Sequence, residues 1–142
     1  MSENQTPNFQ IRKATKEEAL IASDIHNSAF EENWGIAEYI ETSECYLCDD
    51  KGIIIFQIVL DEAEIKTVAV RKEFWGQNLG TKLCEKAIEI CKERGVKKLF
   101  LEVSEQNPRA VNLYKKVGFV EFNRRPNYYP KNATAILMHL QF

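Results

Sequence analysis

Apolar and polar residues alternate from Phe9 to Ala14 (FQIRKA), the period of a strand with one buried face. Thr15 follows as a helix cap with Glu18 three residues on, the pattern of a capping box. Ala19, Leu20, Ala22 and Ile25 then mark the apolar side of a helix running to about Phe30, and a shorter helix is expected around Ile36 to Ile40. Three strands come next: Cys45 to Cys48, Ile53 to Leu60 and Ile65 to Val70. Asp49, Asp50, Lys51 and Gly52 form the first turn between them, and Asp61, Glu62 and Ala63 form the second. Connections this short predict an antiparallel meander. The run IIIFQIVL is apolar enough to be covered on both faces.

Helical spacing returns from about Leu79 to Arg94, with Leu83, Ala87, Ile90 and Cys91 on one side. Lys92 and Arg94 in its last turn and Gly95 just beyond fit the helix dipole and a left-handed cap. Strand Lys97 to Ser104 follows closely. Asn107 then caps a helix that starts at Pro108 and closes at Gly118. Phe119 to Phe122 and Ala135 to Leu140 supply the last strands, joined by the irregular stretch RRPNYYPKN. The whole reads as one mixed α/β domain over residues 9–142, behind a flexible tail of residues 1–8.

Composition narrows this little further. A chain of 142 residues with 44% apolar content suits one domain with a real core, which excludes a disordered chain. No run of about 18 apolar residues exists to span a membrane. The N-terminus lacks the basic-then-apolar order of a secretory signal, so a cytoplasmic protein is expected. Cys45 and Cys48 form a CxxC, but on a strand they point to opposite faces, and no second pair or histidines at metal spacing accompany them. No metal is expected. Cys84 and Cys91 share a helix face with apolar neighbours, so all four cysteines read as reduced thiols.

Charge is uneven: residues 1–70 carry a net −9 and residues 71–142 a net +7, within a total of −2. Such polarity suits one region facing an anionic ligand and another facing a basic partner, or simple unevenness of a solvated surface. Direct nucleic-acid binding is not expected, because the basic residues are offset by the acidic half and show no stacking pattern.

Two places carry candidate chemistry. The strand TVAV (Thr67 to Val70) leads through a turn, WGQNLG (Trp75 to Gly80), into the long helix. Glycines there free backbone N–H groups, and the helix end adds positive potential, so the turn can hold a phosphate or serve as an ordinary strand-helix connection. Glu102 lies among apolar residues in LFLEV; burial would raise its pKa toward neutrality and suit a general base, or the carboxylate pairs with a lysine in the interior. Tyr114 shares a helical face with Ala110 and Val117, so it is either a core tyrosine or a proton donor.

The segment LEVSEQNPRAVNLYKKVGFVEF resembles the strand-helix-strand of the GNAT superfamily of acetyl-CoA-dependent N-acetyltransferases, with its aliphatic-Tyr-x-x-x-Gly-Phe signature at Leu113, Tyr114, Gly118 and Phe119. The resemblance implies a GNAT fold, a central mixed and mostly antiparallel twisted sheet of about six to seven strands with flanking helices. It also implies acetyl-CoA as cofactor, with Val68, Ala69, Val70, Gly76, Gln77, Asn78, Leu79, Gly80, Thr81, Asn107 and Arg109 holding it. Lys72 and Lys82 are expected near its phosphates. Glu102 and Tyr114 take the roles of base and acid, and backbone N–H groups near Thr67 to Val70 face the oxyanion. The family's loop runs Arg or Gln, two variable residues, Gly, one variable residue, then Gly or Ala. Here Trp75 stands at its first position and Asn78 at its central glycine. Asparagine tolerates the left-handed region, whereas Trp75 removes a cationic or amide contact to phosphate.

Within the superfamily, VLDEAEIKTVAV, GVKKLFLEV and FNRRPNYYP look most like the RimI type, bacterial enzymes that acetylate the N-terminal alanine of small-subunit ribosomal protein 18. That likeness implies an acceptor groove built by Arg125, Tyr128 and Tyr129 together with Glu31, Glu32 and Trp34. Glu38, Glu41 and Glu44 belong to the same helical region, facing a basic N-terminus of a ribosomal protein or similar peptide. A monomer or weak dimer is expected. A small-molecule amine or lysine side chain remains an alternative acceptor, and a non-catalytic module that binds coenzyme A is the alternative of another class.

Overall fold

The computed structural model describes residues 10–29 and 42–142. The expected tail, the short helix near residues 36–40, and Glu31, Glu32, Trp34, Glu38 and Glu41 lie outside the described residues. Seven strands, β1 (Ile11–Lys13), β2 (Glu44–Cys48), β3 (Gly52–Val59), β4 (Glu62–Val70), β5 (Lys98–Ser104), β6 (Val120–Tyr129) and β7 (Ala133–Gln141), form one sheet in the order β1-β2-β3-β4-β5-β7-β6. Among the described residues, three helices flank it: α1 (Ala19–Ala29), α2 (Leu79–Glu93) and α3 (Pro108–Lys116). All strand pairs are antiparallel except β4 with β5.

Each side of the sheet has its own apolar layer. On one, α1 packs Ala22 and Ile25 against Cys45, Leu47, Ile53, Ile55 and Ala69. On the other, α2 and α3 bury Leu79, Leu83, Ala87, Ile90, Val111 and Tyr114 against Ile54, Phe56, Leu99, Leu101 and Val103. Within the run IIIFQIVL, Ile53 to Phe56 are fully buried as its composition predicts, but Val59 and Leu60 are exposed, because they lead out into the hairpin turn. Cys45 and Cys48 fall in opposite layers, and Cys84 and Cys91 share the α2 layer. Burial pushes the thiols of Cys45 and Cys84 up to about 12 and that of Cys91 to about 11, so they behave as small apolar groups.

Three expectations are corrected. Leu20 is 84% exposed rather than in the core, because at about 100° per residue it lies on the side of α1 away from the face that Ala22 and Ile25 bury. Glu62 and Ala63 are strand residues: Val59 pairs with Glu62, leaving only Leu60 and Asp61 as the hairpin turn. The stretch expected to be irregular, residues 124–132, is mostly strand, since β6 runs to Tyr129 and a 3-10 turn over Pro130–Asn132 leads into β7. Pro126 is tolerated there because β6 is the edge of the sheet.

The feature that shapes the molecule lies between β4 and β5. Their parallel pairing covers only Glu62 with Lys98, Ala63 with Leu99 and Glu64 with Phe100. Beyond these, the strands part. A bulge begins there: Ile55 pairs with Thr67 but Phe56 with Ile65, so Lys66 is an extra residue. It reverses the alternation of β4, sending Ile65 to the α2 layer and Ala69 to the α1 layer. From the bulge onward β4 pairs with β3 on one edge and leaves its other edge without a strand.

Candidate active site

The gap between β4 and β5 opens into a cavity of about 550 Å³. Val68, Ala69 and Val70 of β4 form one wall, the loop and first turn of α2 (Trp75, Gly76, Asn78, Leu79, Gly80, Thr81) a second, and α3 with its cap (Asn107, Arg109, Ala110, Leu113, Lys116) a third. Ten of the eleven residues expected at the cofactor line it. Gln77 does not, because the loop is left-handed on both sides of it, at Gly76 (φ +84°) and Asn78 (φ +63°), which turns its side chain off the wall. The asparagine thus adopts the conformation that its position in the loop predicts. Gly80 allows the two helices to meet: a Cβ there would lie 3.1 Å from Leu113 Cδ2.

Polar groups gather at this rim. The first α-helical bond of α2 runs from the Lys82 N–H to the Asn78 carbonyl, so the amides of Leu79, Gly80 and Thr81 lie ahead of it. Asn78 does not cap them; its Oδ1 accepts from Lys116 Nζ at 2.9 Å instead. Asn107 caps α3, its Oδ1 accepting from the Ala110 N–H at 3.3 Å. Trp75 Nε1 donates to the Val70 carbonyl at 2.9 Å, and the Arg109 guanidinium lies 3.5 Å from the indole centroid. Of the other basic residues expected here, Lys72 stands 6.0 Å from the Trp75 ring, and Lys82 lines a separate groove with Glu85, Lys86 and Glu89.

Glu102 and Tyr114 lie on opposite faces of β5. Leu101 and Val103 point into the α2–α3 layer that holds Tyr114, so Glu102 points the other way. Tyr114 is buried behind the cavity wall, its ring edge-on to Phe119, and burial together with the nearby Cys84 drives its phenol far above the usual range. The phenol that meets Glu102 is that of Tyr129, which donates to Oε1 at 2.6 Å. Burial first, and this bond second, raise the Tyr129 pKa well above its ordinary value. An irregularity in β6 makes the contact: Arg125 pairs with Ala135 but Tyr129 with Ala133, and Asn127 between them is left-handed. Tyr128 stacks edge-on to Tyr129 and lies 5.6 Å from the Arg125 guanidinium. Three expected acceptor residues therefore cluster beside Glu102.

Glu44 is corrected. It opens β2 rather than a helix, and holds Arg94 at 2.8 Å and Lys13 at 3.8 Å, so its carboxylate is already engaged. Lys116 and Leu113 were not among the residues expected at the cavity. The signal existed, since Arg109, Leu113 and Lys116 recur at helical spacing on one side of α3. The Tyr129–Glu102 bond had no such signal, because it depends on the irregular pairing of β6.

The sequence model of the Acetyltransferase (GNAT) family matches residues 18–119. A protein of Escherichia coli K12 named [ribosomal protein bS18]-alanine N-acetyltransferase is 45% identical over 89 residues, covering 61% of this chain and 60% of that protein. One of the same name from Haemophilus influenzae is 46% identical over 80 residues, covering 56% of this chain and 54% of that protein. The chain thus spans between half and two thirds of the length of these curated relatives. The crystal structure of the ribosomal-protein-S18-alanine N-acetyltransferase from Escherichia coli superposes with a TM-score of 0.84 at 30% identity, covering 94% of each chain. With a split sheet, a cavity at the split and a family match across most of its length, this chain belongs to the GNAT acetyltransferase family.

Proposed function

We propose that the protein transfers an acetyl group from acetyl-CoA to a primary amine, the N-terminal α-amine of a ribosomal protein that begins with alanine. The observation that carries this is the gap between β4 and β5, with cofactor-type groups on one side and Glu102 on the other. The residues present fit the cofactor. Val68 and Leu113 offer apolar walls, the unpaired edge of β4 can receive the amides of a pantetheine arm, and the α2 amides with Arg109 and Lys116 suit a diphosphate. When bound, acetyl-CoA supplies an activated acyl carbonyl.

The chain's own groups then have separable tasks. An α-amine has a pKa of about 8, so a sizeable minority is neutral at physiological pH and modest help from a base suffices. Glu102 accepts the amine proton at its carboxylate, which Tyr129 holds in place from β6. Backbone N–H groups of β4 beyond the bulge orient the carbonyl. Tyr114 supplies the proton that the departing sulfur requires in this proposal; burial keeps its phenol protonated until then. Arg125, Tyr128 and Tyr129 form one side of the acceptor groove, and Glu31, Glu32 and Trp34 complete it in this proposal. None of the cysteines takes part, since burial keeps Cys45, Cys84 and Cys91 protonated. No helix among the described residues is long and apolar enough to cross a membrane. In the same proposal residues 9–142 form one domain that acts in the cytoplasm, where ribosomal proteins are made.

The test is intact mass spectrometry of a peptide with an N-terminal alanine followed by basic residues, incubated with the protein and acetyl-CoA. One acetyl increment on the α-amine is expected, with much slower reaction of spermidine and free amino acids. Faster acetylation of the small amines would replace the acceptor proposed here.

A further inference from the structure

The loop before α2 departs from its family's pattern at two positions, Trp75 and Asn78, and a cation from α3 reaches each of them. Arg109, at the start of α3, stacks 3.5 Å from the Trp75 ring centroid. Lys116, at its end, donates to Asn78 Oδ1 at 2.9 Å. Both cations line the cavity, and among the described residues neither has a carboxylate partner. By contrast, Arg12, Arg71, Arg94 and Arg124 are all paired with Asp or Glu. Cations left unpaired at the rim of a concave site are available to an anion.

Resting on the acetyl-CoA reading above, we infer that the positive charge holding the cofactor's phosphates comes from α3, through Arg109 and Lys116, with Trp75 and Asn78 as positioning residues. The indole is fixed by its own bond to the Val70 carbonyl, so its face is a rigid platform. A planar guanidinium stacked on such a face keeps its N–H groups free at its edge for phosphate oxygens. Trp75 thereby restores, through Arg109, the cation that its position in the loop lacks. Asn78 has a second effect. An asparagine before a helix ordinarily accepts from the N-terminal amides. Held by Lys116, this one leaves the amides of Leu79, Gly80 and Thr81 open to the same anion.

The test is calorimetric titration of the full chain with coenzyme A and, separately, with pantetheine, which lacks the phosphates. Arg109→Ala and Trp75→Ala should each weaken coenzyme A binding by roughly tenfold, the size of one charge-assisted hydrogen bond. Pantetheine binding should stay within about twofold of wild type, since that arm touches neither residue. Trp75→Phe, which keeps an aromatic face but lacks the bond to the Val70 carbonyl, should bind coenzyme A more tightly than Trp75→Ala and more weakly than wild type. The double variant should bind no more weakly than Arg109→Ala alone, because the two residues act as one unit. Asn78→Gly should weaken coenzyme A binding as Lys116→Ala does, although glycine suits the left-handed backbone better.

Additive losses at Trp75 and Arg109, an unaffected Trp75→Ala, or equal loss of both ligands would overturn the inference while leaving the acetyl-CoA reading intact. A wild-type protein that binds pantetheine no more weakly than coenzyme A would also overturn it. Wild type binding neither ligand would overturn both.

Discussion

Glu102 sits between two phenols with different surroundings. Tyr129 touches it on one face of the sheet, and Tyr114 lies on the other, in the apolar layer with Leu101 and Val103. In the proposed reaction, where Glu102 is the base and Tyr114 the acid, this separation keeps either from neutralising the other before substrate arrives. Glu102→Gln should lower turnover by about 10² to 10⁴, the range of a general base, with coenzyme A binding unchanged. Tyr114→Phe should lower turnover with the thioester but lose less with a donor whose leaving group needs no proton. Steady-state kinetics with acetyl-CoA and with an activated acetyl ester measure both. Wild-type-like turnover of Glu102→Gln would remove it from the mechanism. The LFLEV context points to Glu102 in the bare sequence, because a carboxylate among apolar residues needs a reason. Tyr129 as its partner is not readable there, since 27 residues and an irregular strand separate them.

The elements that sequence periodicity describes well are those with one buried face and a defined end. The α2 helix ends at Gly95 (φ +75°) and α3 is followed by Gly118 (φ +112°), as their glycines predict. The second half of strand β6, after Phe122, escapes such reading for a physical reason. Nine of the strand's ten residues are exposed, so it shows no alternation of apolar and polar positions. The turn of the β3–β4 hairpin escapes it too, because it places Leu60, rather than glycine or asparagine, at φ +58°. A leucine in the left-handed region is strained, and this one is 90% exposed. Leu60→Asn should therefore stabilise the protein by about 1 kcal/mol, or roughly 2–4 °C in Tm. A lower Tm would show that Leu60 makes an apolar contact that matters more than its backbone.

The join between β1 and α1 carries a prediction in pH. The Arg12 guanidinium first and the Thr15 amide second hold the Glu18 carboxyl down to about 2, from an ordinary 4.5. A carboxylate depressed in the folded state favours folding above its unfolded value and loses that contribution as pH falls toward its folded one. Wild-type stability should thus decline between about pH 5 and 2, and Glu18→Gln should decline less over the same window. Urea midpoints across that range measure it. Since the Arg12 side chain is half exposed, the difference should be small and should shrink in high salt. Parallel declines in the two proteins would assign the acid loss elsewhere.

Across the molecule, local signals predict the antiparallel β2–β3–β4 meander but not how the second half joins it. The sheet inserts β7 between β5 and β6 and sets β5 parallel to β4, pairings that depend on long-range contact. The divergence of β4 from β5 follows from that arrangement together with the bulge at Lys66, and neither has a compositional mark. Family resemblance supplied what periodicity could not, namely that Val68 to Val70 and the α2 loop face one cavity with Asn107 and Arg109. The basic bias of residues 71–142 also becomes local here, with Arg109 and Lys116 at the cavity and Arg94 and Arg124 engaged by glutamates. Among the described acidic residues of the first half, Glu18 and Glu44 serve ion pairs that join β1, β2 and α2.

The cleft between β4 and β5 is the claim on which the rest depends, and a crystal structure with coenzyme A tests it most directly. The pantetheine arm should run along the free edge of β4 at Val68 to Val70, with the diphosphate over the amides of Leu79 to Thr81 between Arg109 and Lys116. Its sulfur should end in the gap that separates Tyr114 from Glu102. Density for the cofactor elsewhere on the surface, with the two strands closed against each other, would contradict the account.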